Sequence, residues 1–162
     1  MSRISKNKMS TVGLAVSRKQ MIDLLNDDLA REYQAIIAYI VYSQVINGAQ
    51  YMYIAAELEK HAAEELDHAI QLARQIDFLG GVPARMPKPV KMSDKSEDLL
   101  RFDLDNEITT IENYRQRIRQ AEAAGEYALS QTIRGIIVQE QDHAIALCEA
   151  LGISVPPLIR QS

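Results

Sequence analysis

Apolar residues recur every three or four positions over four long stretches of the chain, a pattern that predicts four amphipathic helices. Alternating apolar and polar positions, which would indicate strands, are few. The pattern therefore predicts an all-α helix bundle. The apolar stripes comprise, in chain order, Leu25, Leu29, Ile36 and Tyr39; Ile54, Leu58, Ala62, Ala69, Leu72 and Ile76; Leu100, Leu104, Ile111, Tyr114 and Ile118; and Leu129, Ile133, Ile136, Ile137, Ala144, Leu147 and Leu151.

Local signals set the ends of the first two helices. Ser17 and Gln20 have the spacing of a capping box, so we expect the first helix to begin there and to run to about residue 47. An Asn-Gly turn follows, and a second helix is predicted from about residue 49 to residue 79, where Gly80 ends it.

The third and fourth helices are bounded in the same way. Asp94, three residues ahead of a glutamate, has capping-box spacing, and Ser96 is a second candidate cap. The third helix is predicted to run to about residue 124. Gly125 separates it from a fourth helix that ends near residue 151.

The connections between helices predict the topology. Tight turns join the first helix to the second and the third to the fourth, so each pair forms an antiparallel hairpin. The middle connection, "GGVPARMPKPVKMSD", is rich in proline. Its roughly 14 residues can reach about 46 Å when extended, close to the roughly 45 Å length of a 30-residue helix. We therefore expect one long crossover, with a looped-out short connection as the alternative.

Composition and charge divide the chain into three segments. Residues 1–16 are predicted to be a basic flexible tail, residues 17–152 the bundle, and residues 153–162 a short C-terminal tail. The net charge of −4 gives no general reason to expect nucleic-acid binding. The basic tail could still contact DNA phosphates, or it could simply be a solubilising end.

Cysteine content and hydropathy bear on the compartment. Cys148 is the only cysteine, which excludes an internal disulfide and a thiolate metal cluster and fits a reducing cytoplasm. No apolar run approaches the roughly 20 residues needed to span a bilayer, so no membrane association is expected.

One glutamate interrupts each apolar stripe: Glu32, Glu65, Glu107 and Glu140. An unpaired buried carboxylate costs several kcal/mol, so these glutamates require a positive partner. Both hairpins separate their two glutamates by 33 residues, with the turn at the midpoint. The two members of each pair are therefore expected to lie at the same height in the bundle.

Two histidines accompany this pattern. "EELDHA" at 64–69 places His68 three residues after Glu65, and "QEQDHA" at 139–144 repeats the spacing with Glu140 and His143. Residues three apart share one face of a helix. Four carboxylates and two imidazoles match the charge and ligand preference of two divalent cations, iron or manganese more than calcium, with zinc also compatible.

This ligand pattern resembles the ferritin-like di-iron carboxylate proteins, which are known to hold metals between facing bundle helices. The resemblance covers about residues 18–152, is strongest to bacterioferritin, and includes "LNDDLAREYQAIIAY" and "FLGGVP". It implies that Glu65 and Glu140 bridge two iron ions. It also implies that one further glutamate and one histidine complete each ion's ligands, as the pairs Glu32 with His68 and Glu107 with His143.

Two tyrosines extend the repeated pattern. Tyr39 follows Glu32 by seven residues, and Tyr114 follows Glu107 by seven. Their hydroxyls could orient a glutamate ligand, and a tyrosine could supply an electron. The alternative is that both are core aromatic residues with satisfied hydroxyls.

Three features depart from the bacterioferritin pattern. Leu66 stands where that family has its haem-binding methionine, so no haem is expected there. The short segment after Gly152 leaves little room for a fifth helix, which argues against the 24-subunit cage of that family and leaves a 12-subunit shell or a smaller oligomer such as a dimer open. His61 and Glu57, on nearly the same stripe as Glu65, could form an extra metal or iron-transit site, or could be a hydrated end of that stripe.

The resemblance implies a ferroxidase that oxidises Fe²⁺ with O₂ or H₂O₂ for iron storage and detoxification, in a homo-oligomer. A first alternative is a di-metal oxidoreductase of the rubrerythrin or manganese-catalase kind. A second is a DNA-protecting 12-subunit mini-ferritin whose basic tail contacts DNA.

Overall fold

The computed structural model describes residues 14–157, and four long helices form this part of the protein. The helices are α1 (Arg18–Val45), α2 (Met52–Phe78), α3 (Ser96–Ala123) and α4 (Tyr127–Leu151). A short 3-10 turn over Ala49–Tyr51 precedes α2. The predicted all-α bundle is confirmed.

The predicted capping box opens α1. The Ser17 hydroxyl accepts a hydrogen bond from the backbone N–H of Gln20, and the Gln20 side chain accepts one from the Ser17 N–H. The helix ends at Val45, slightly before the predicted end. Gly48 follows with φ +126°, a conformation that side chains strain to adopt, which explains why a glycine occupies this turn.

The prediction for the start of α3 was wrong in one respect. Asp94 does not cap the helix; Lys95 occupies the cap position and makes no side-chain capping bond. The Ser96 hydroxyl does not cap it either, because it accepts from the Asn47 N–H at 2.9 Å and donates to the Asn47 carbonyl at 3.1 Å. A contact with the α1–α2 turn has therefore replaced a local cap.

The long crossover between the hairpins is confirmed, and it runs along α1. The Asn26 side chain donates to the Val82 carbonyl at 3.0 Å and accepts from the Ala84 N–H at 2.6 Å. Further along, Gln34 donates to the Pro89 carbonyl at 2.6 Å. Near the far end of α1, the Tyr42 hydroxyl donates to the carbonyl of Lys91. These bonds place the start of α3 at the opposite end of the bundle from the end of α2.

The core consists of two clusters, one toward each end of the bundle. One cluster contains Tyr39, Leu58 and Leu104, and the other contains Leu25, Leu72 and Ile133. Most stripe residues are buried as predicted. Ile36, Ile137 and Leu151 are only partly buried and pack against the edges of these clusters.

None of the helices in the described part of the chain is long and apolar enough to cross a membrane. The predicted basic tail lies outside the described residues except for its last three positions. The predicted C-terminal tail lies partly outside them as well.

Candidate metal centre

The four stripe glutamates and both repeated histidines lie in the middle of the bundle. Each of the six residues is at most 3% exposed. The hairpin of α1 and α2 supplies three of them, and the hairpin of α3 and α4 supplies the other three. The six residues that the structure brings together are Glu32, Glu65, His68, Glu107, Glu140 and His143.

Three carboxylates surround one nitrogen of His68. The Nδ1 atom lies 3.0 Å from Glu65 Oε2 and 3.3 Å from Glu140 Oε1. Glu32 Oε2 lies 3.7 Å from the same nitrogen.

The arrangement around His143 repeats this geometry. Its Nδ1 atom lies 3.1 Å from Glu65 Oε1 and 3.3 Å from Glu140 Oε2. Glu107 Oε1 lies 3.7 Å away. Glu65 and Glu140 thus turn one oxygen toward each histidine, as carboxylates that bridge two cations do.

Unsatisfied polar atoms in the centre also indicate that these residues fit a pair of metal ions. Several buried polar atoms have no hydrogen-bond partner among the described residues: Glu65 Oε1, both carboxylate oxygens of Glu140, and His143 Nδ1. Buried polar groups are nearly always satisfied, so such a cluster of unsatisfied donor atoms needs an explanation. Two sets of four ligand atoms, each set within 4.8 Å of one another, provide it as two adjoining cation positions.

Burial and the neighbouring carboxylates raise the pKa values of Glu32 and Glu107. Burial, and then the charge of Glu140, raises the pKa of Glu107 to about 8. Burial, together with Glu140 and Glu65, raises the pKa of Glu32 well above its ordinary value. Like charges this close cannot all ionise together without a cation.

In the metal-free protein, the two histidines offset the negative charge of the buried carboxylates. Burial alone would lower the pKa of His143, but the carboxylates of Glu107 and Glu140 close to its Nδ1 atom hold that pKa well above its ordinary value. The same balance raises the pKa of His68. Protons therefore occupy the centre when metal does not, and metal binding must displace them.

The metal-free protein is expected to lose stability as pH rises from 7 to 9. The folded-state pKa values of Glu107 and of both histidines lie above their ordinary values, so the folded chain holds protons that the unfolded chain releases. That stability is complete below the unfolded pKa values and is lost as pH rises through the folded ones, by up to about 1.4 kcal/mol per proton per pH unit. Thermal unfolding in chelator at each pH measures it.

Zinc-loaded protein is the control for this pH dependence. Bound metal has already displaced the protons, so its unfolding temperature should change much less over the same range. Parallel curves for the metal-free and loaded protein would contradict the assignment.

The two predicted tyrosines contact the glutamates of the opposite hairpin. The Tyr39 hydroxyl donates to Glu107, and the Tyr114 hydroxyl donates to Glu32. Both tyrosines are fully buried. Each hydroxyl can hold its glutamate in position to bind a metal ion. The same hydrogen bond also satisfies the buried hydroxyl of a core aromatic residue, so both interpretations are compatible with the contact.

His61 lies beside the centre rather than at a hydrated end of the stripe. It is 3% exposed, and its ring stacks on that of His143 with centroids 4.0 Å apart. Burial, and then His143, lowers its pKa to about 3. Glu57 reaches only 4.0 Å from His61, whereas Glu64 forms a possible ligand group with His61 and His143.

Sequence reasoning missed the partners of the outer histidine nitrogens. His143 Nε2 lies 2.8 Å from Glu64 Oε2, and His68 Nε2 lies 2.8 Å from Gln139 Oε1. Glu64 and Gln139 each immediately precede a stripe glutamate, at matching places in the two repeated segments. That repetition was the signal that could have found them.

A four-helix bundle with one long crossover and a repeated Glu and Glu-x-x-His set defines the ferritin-like carboxylate bundles. The family described as the ferritin-like domain matches residues 22–152, and the chain belongs to it.

Sequence and structural comparisons agree with this assignment. A bacterial ferritin of Paramagnetospirillum magnetotacticum is 30% identical over 141 residues, which cover 84% of this chain and 85% of the relative. A ferritin-like di-iron carboxylate protein of Bacillus anthracis is 31% identical, with a TM-score of 0.79 over 83% of this chain and 96% of that one. A dodecameric thioferritin, the bacterioferritin-related protein of Bacteroides fragilis, is 28% identical, with a TM-score of 0.77 over 85% and 87%.

Proposed function

We propose that the protein is a ferroxidase that oxidises Fe²⁺ for iron storage and detoxification. The observation that carries the proposal is the placement of Glu65 and Glu140, whose two oxygens each face a different histidine. That arrangement holds two cations close together, so that two electrons can pass to one oxidant.

Two Fe²⁺ ions are the substrates. With dioxygen, two Fe²⁺ and two protons give two Fe³⁺ and one H₂O₂; with peroxide, two Fe²⁺, one H₂O₂ and two protons give two Fe³⁺ and two waters. Four carboxylates within the centre favour the product ions, because their charge stabilises Fe³⁺ more than Fe²⁺. Carboxylate and imidazole ligands suit iron, and the same set would also accept manganese or zinc.

Each side chain of the centre has a defined role in this proposal. Glu65 and Glu140 bridge the two ions, Glu32 with His68 completes one set of ligands, and Glu107 with His143 completes the other. Tyr39 and Tyr114 orient Glu107 and Glu32 through their hydroxyls.

Storage requires a shell, and we propose a homo-oligomer. The structural relative from Bacteroides fragilis is dodecameric. A shell of 12 or 24 subunits would enclose a mineral of oxidised iron, whereas a dimer would favour the alternative of peroxide or substrate chemistry at the same centre.

Anaerobic titration followed by exposure to oxygen tests the proposal. We expect two Fe²⁺ ions per chain to bind and to oxidise in a fast phase, followed by slow growth of a mineral within a particle of shell size. The measurements are stopped-flow absorbance of Fe³⁺ and light scattering of the same sample. Binding of fewer than two ions, or no fast phase, would refute the ferroxidase. Fast oxidation in a dimer without mineral would favour the oxidoreductase alternative.

A further inference from the structure

The two halves of the metal centre repeat with a constant offset of 75 residues. The offset relates each side chain of the first hairpin to its counterpart in the second: Glu32 to Glu107, Tyr39 to Tyr114, Glu65 to Glu140 and His68 to His143. Under this offset, the corresponding distances around the two histidine Nδ1 atoms differ by no more than 0.3 Å between the halves. In the residues that directly surround them, the two cation positions are nearly equivalent.

The equivalence ends at the next layer of side chains. The offset relates Glu64 to Gln139, and each of these contacts the outer nitrogen of the histidine on the facing helix. The two hydrogen bonds have the same length, 2.8 Å. They differ in charge, because His143 donates to a carboxylate and His68 donates to a neutral amide oxygen.

This difference acts on the metal through the ring. A carboxylate that accepts the Nε2–H of a ligand histidine fixes the tautomer with Nδ1 free, and it increases electron density at Nδ1. An amide oxygen fixes the same tautomer but supplies no charge. Lys60 lies 3.9 Å from Glu64, but its side chain is 63% exposed, so water screens much of its effect.

A second difference favours the same half. The offset relates His61 to Ile136. The His61 ring stacks on His143 at an interplanar angle of 26°, and Tyr39 meets His143 edge-on with centroids 6.0 Å apart. His143 is thus held on two sides in the orientation that directs Nδ1 inward.

We propose that the two cation positions are unequal, that the position of His143 binds metal more tightly than that of His68, and that Glu64 is the positioning residue that makes it so. The inference rests on the proposed metal centre but not on oxidation of the bound ions. Substitution of the outer partner of a metal-ligand histidine typically changes affinity by about 10–100-fold. We therefore expect roughly tenfold or greater preference for the His143 position.

Cobalt(II) tests the preference without iron chemistry. Crystals of the metal-free protein are grown with one equivalent of Co²⁺ per chain, and anomalous scattering gives the occupancy of each position. Wild-type protein should carry most of the cobalt at the His143 position. Visible absorption during titration in solution should show two successive binding steps.

Exchange of the two partners provides matched variants. Glu64→Gln and Gln139→Glu preserve side-chain size, so the fold should be retained, which circular dichroism checks. Glu64→Gln should bring the two occupancies much closer together, with at most the smaller preference that the packing of His61 supplies. The double exchange, Glu64→Gln with Gln139→Glu, should reverse the preference and place most of the cobalt at the His68 position.

The outcomes separate the inference from the proposed function. Equal occupancy in the wild type, or the same preference in the double exchange, would overturn the inference and leave the ferroxidase intact. Absence of cobalt from both positions would overturn both. An ordered preference in protein that does not oxidise iron would support the inference and refute the ferroxidase.

Discussion

Replacement of Glu140 by alanine is expected to slow the fast phase of Fe²⁺ oxidation by about a hundredfold or more. Glu140 turns one oxygen toward each cation position, so its loss removes a ligand from both ions at once. Loss of even an outer partner of a metal ligand costs roughly 10–100-fold, and loss of a shared ligand should cost at least the upper value. Stopped-flow absorbance at two Fe²⁺ per chain measures the rate.

The matched control is Glu149→Ala, which removes an exposed glutamate from the same helix. Its oxidation rate should equal that of the wild type. A cooperative thermal transition in each variant shows that it is folded. Zn²⁺ should raise the unfolding temperature of the wild type and of Glu149→Ala far more than that of Glu140→Ala, because Glu140→Ala binds the metal more weakly. A wild-type rate in Glu140→Ala would refute the assigned bridging ligand.

Replacement of Arg117 by methionine is expected to lower the free energy of unfolding by about 3–5 kcal/mol, because it leaves a buried carboxylate without its cation. Arg117 Nε donates to Asp28 Oδ2 at 2.7 Å, and its Nη2 donates to Asp28 Oδ1 at 3.1 Å. Both side chains are at most 5% exposed. For a chain of this size, the unfolding temperature should fall by roughly 10 °C.

Two comparisons make this prediction specific. Arg101→Met removes an exposed arginine paired with Glu97 one turn away, and it should cost less than about 1 kcal/mol. Adding Asp28→Asn to Arg117→Met removes the unpaired charge and should recover much of the lost stability. Equal effects of the two arginine substitutions would show that the buried pair has no special role.

Most of the fold follows from local patterns that act within one helix. The apolar stripes placed the core residues, and the Ser17 capping box set the start of α1, because both depend on residues three or four positions apart. The start of α3 was predicted incorrectly because Ser96 binds Asn47, a residue distant in sequence. Spacing within a segment cannot report such a contact.

The same limit applies to the candidate centre: patterns within one helix were informative, and contacts between helices were not. A stripe indicates which side chains face inward, so the six side chains that meet in the middle of the bundle could be named. It does not indicate which neighbouring helix meets the outer side of a ring, so the contact of His143 with Glu64 was missed. The buried pair of Asp28 and Arg117 was missed for the same reason, although Asp28 lies one turn from Glu32 on the inward face.

The division of donors between the hairpins has a consequence for how the two halves recognise each other. Each cation position takes three donors from one hairpin and one from the other, through Glu140 or Glu65. Neither half of the polypeptide could assemble a complete coordination sphere by itself. If the centre binds metal as proposed, the ions would bind fully only when both halves have docked in the correct register, and this binding energy would favour the correctly aligned bundle over a misaligned one.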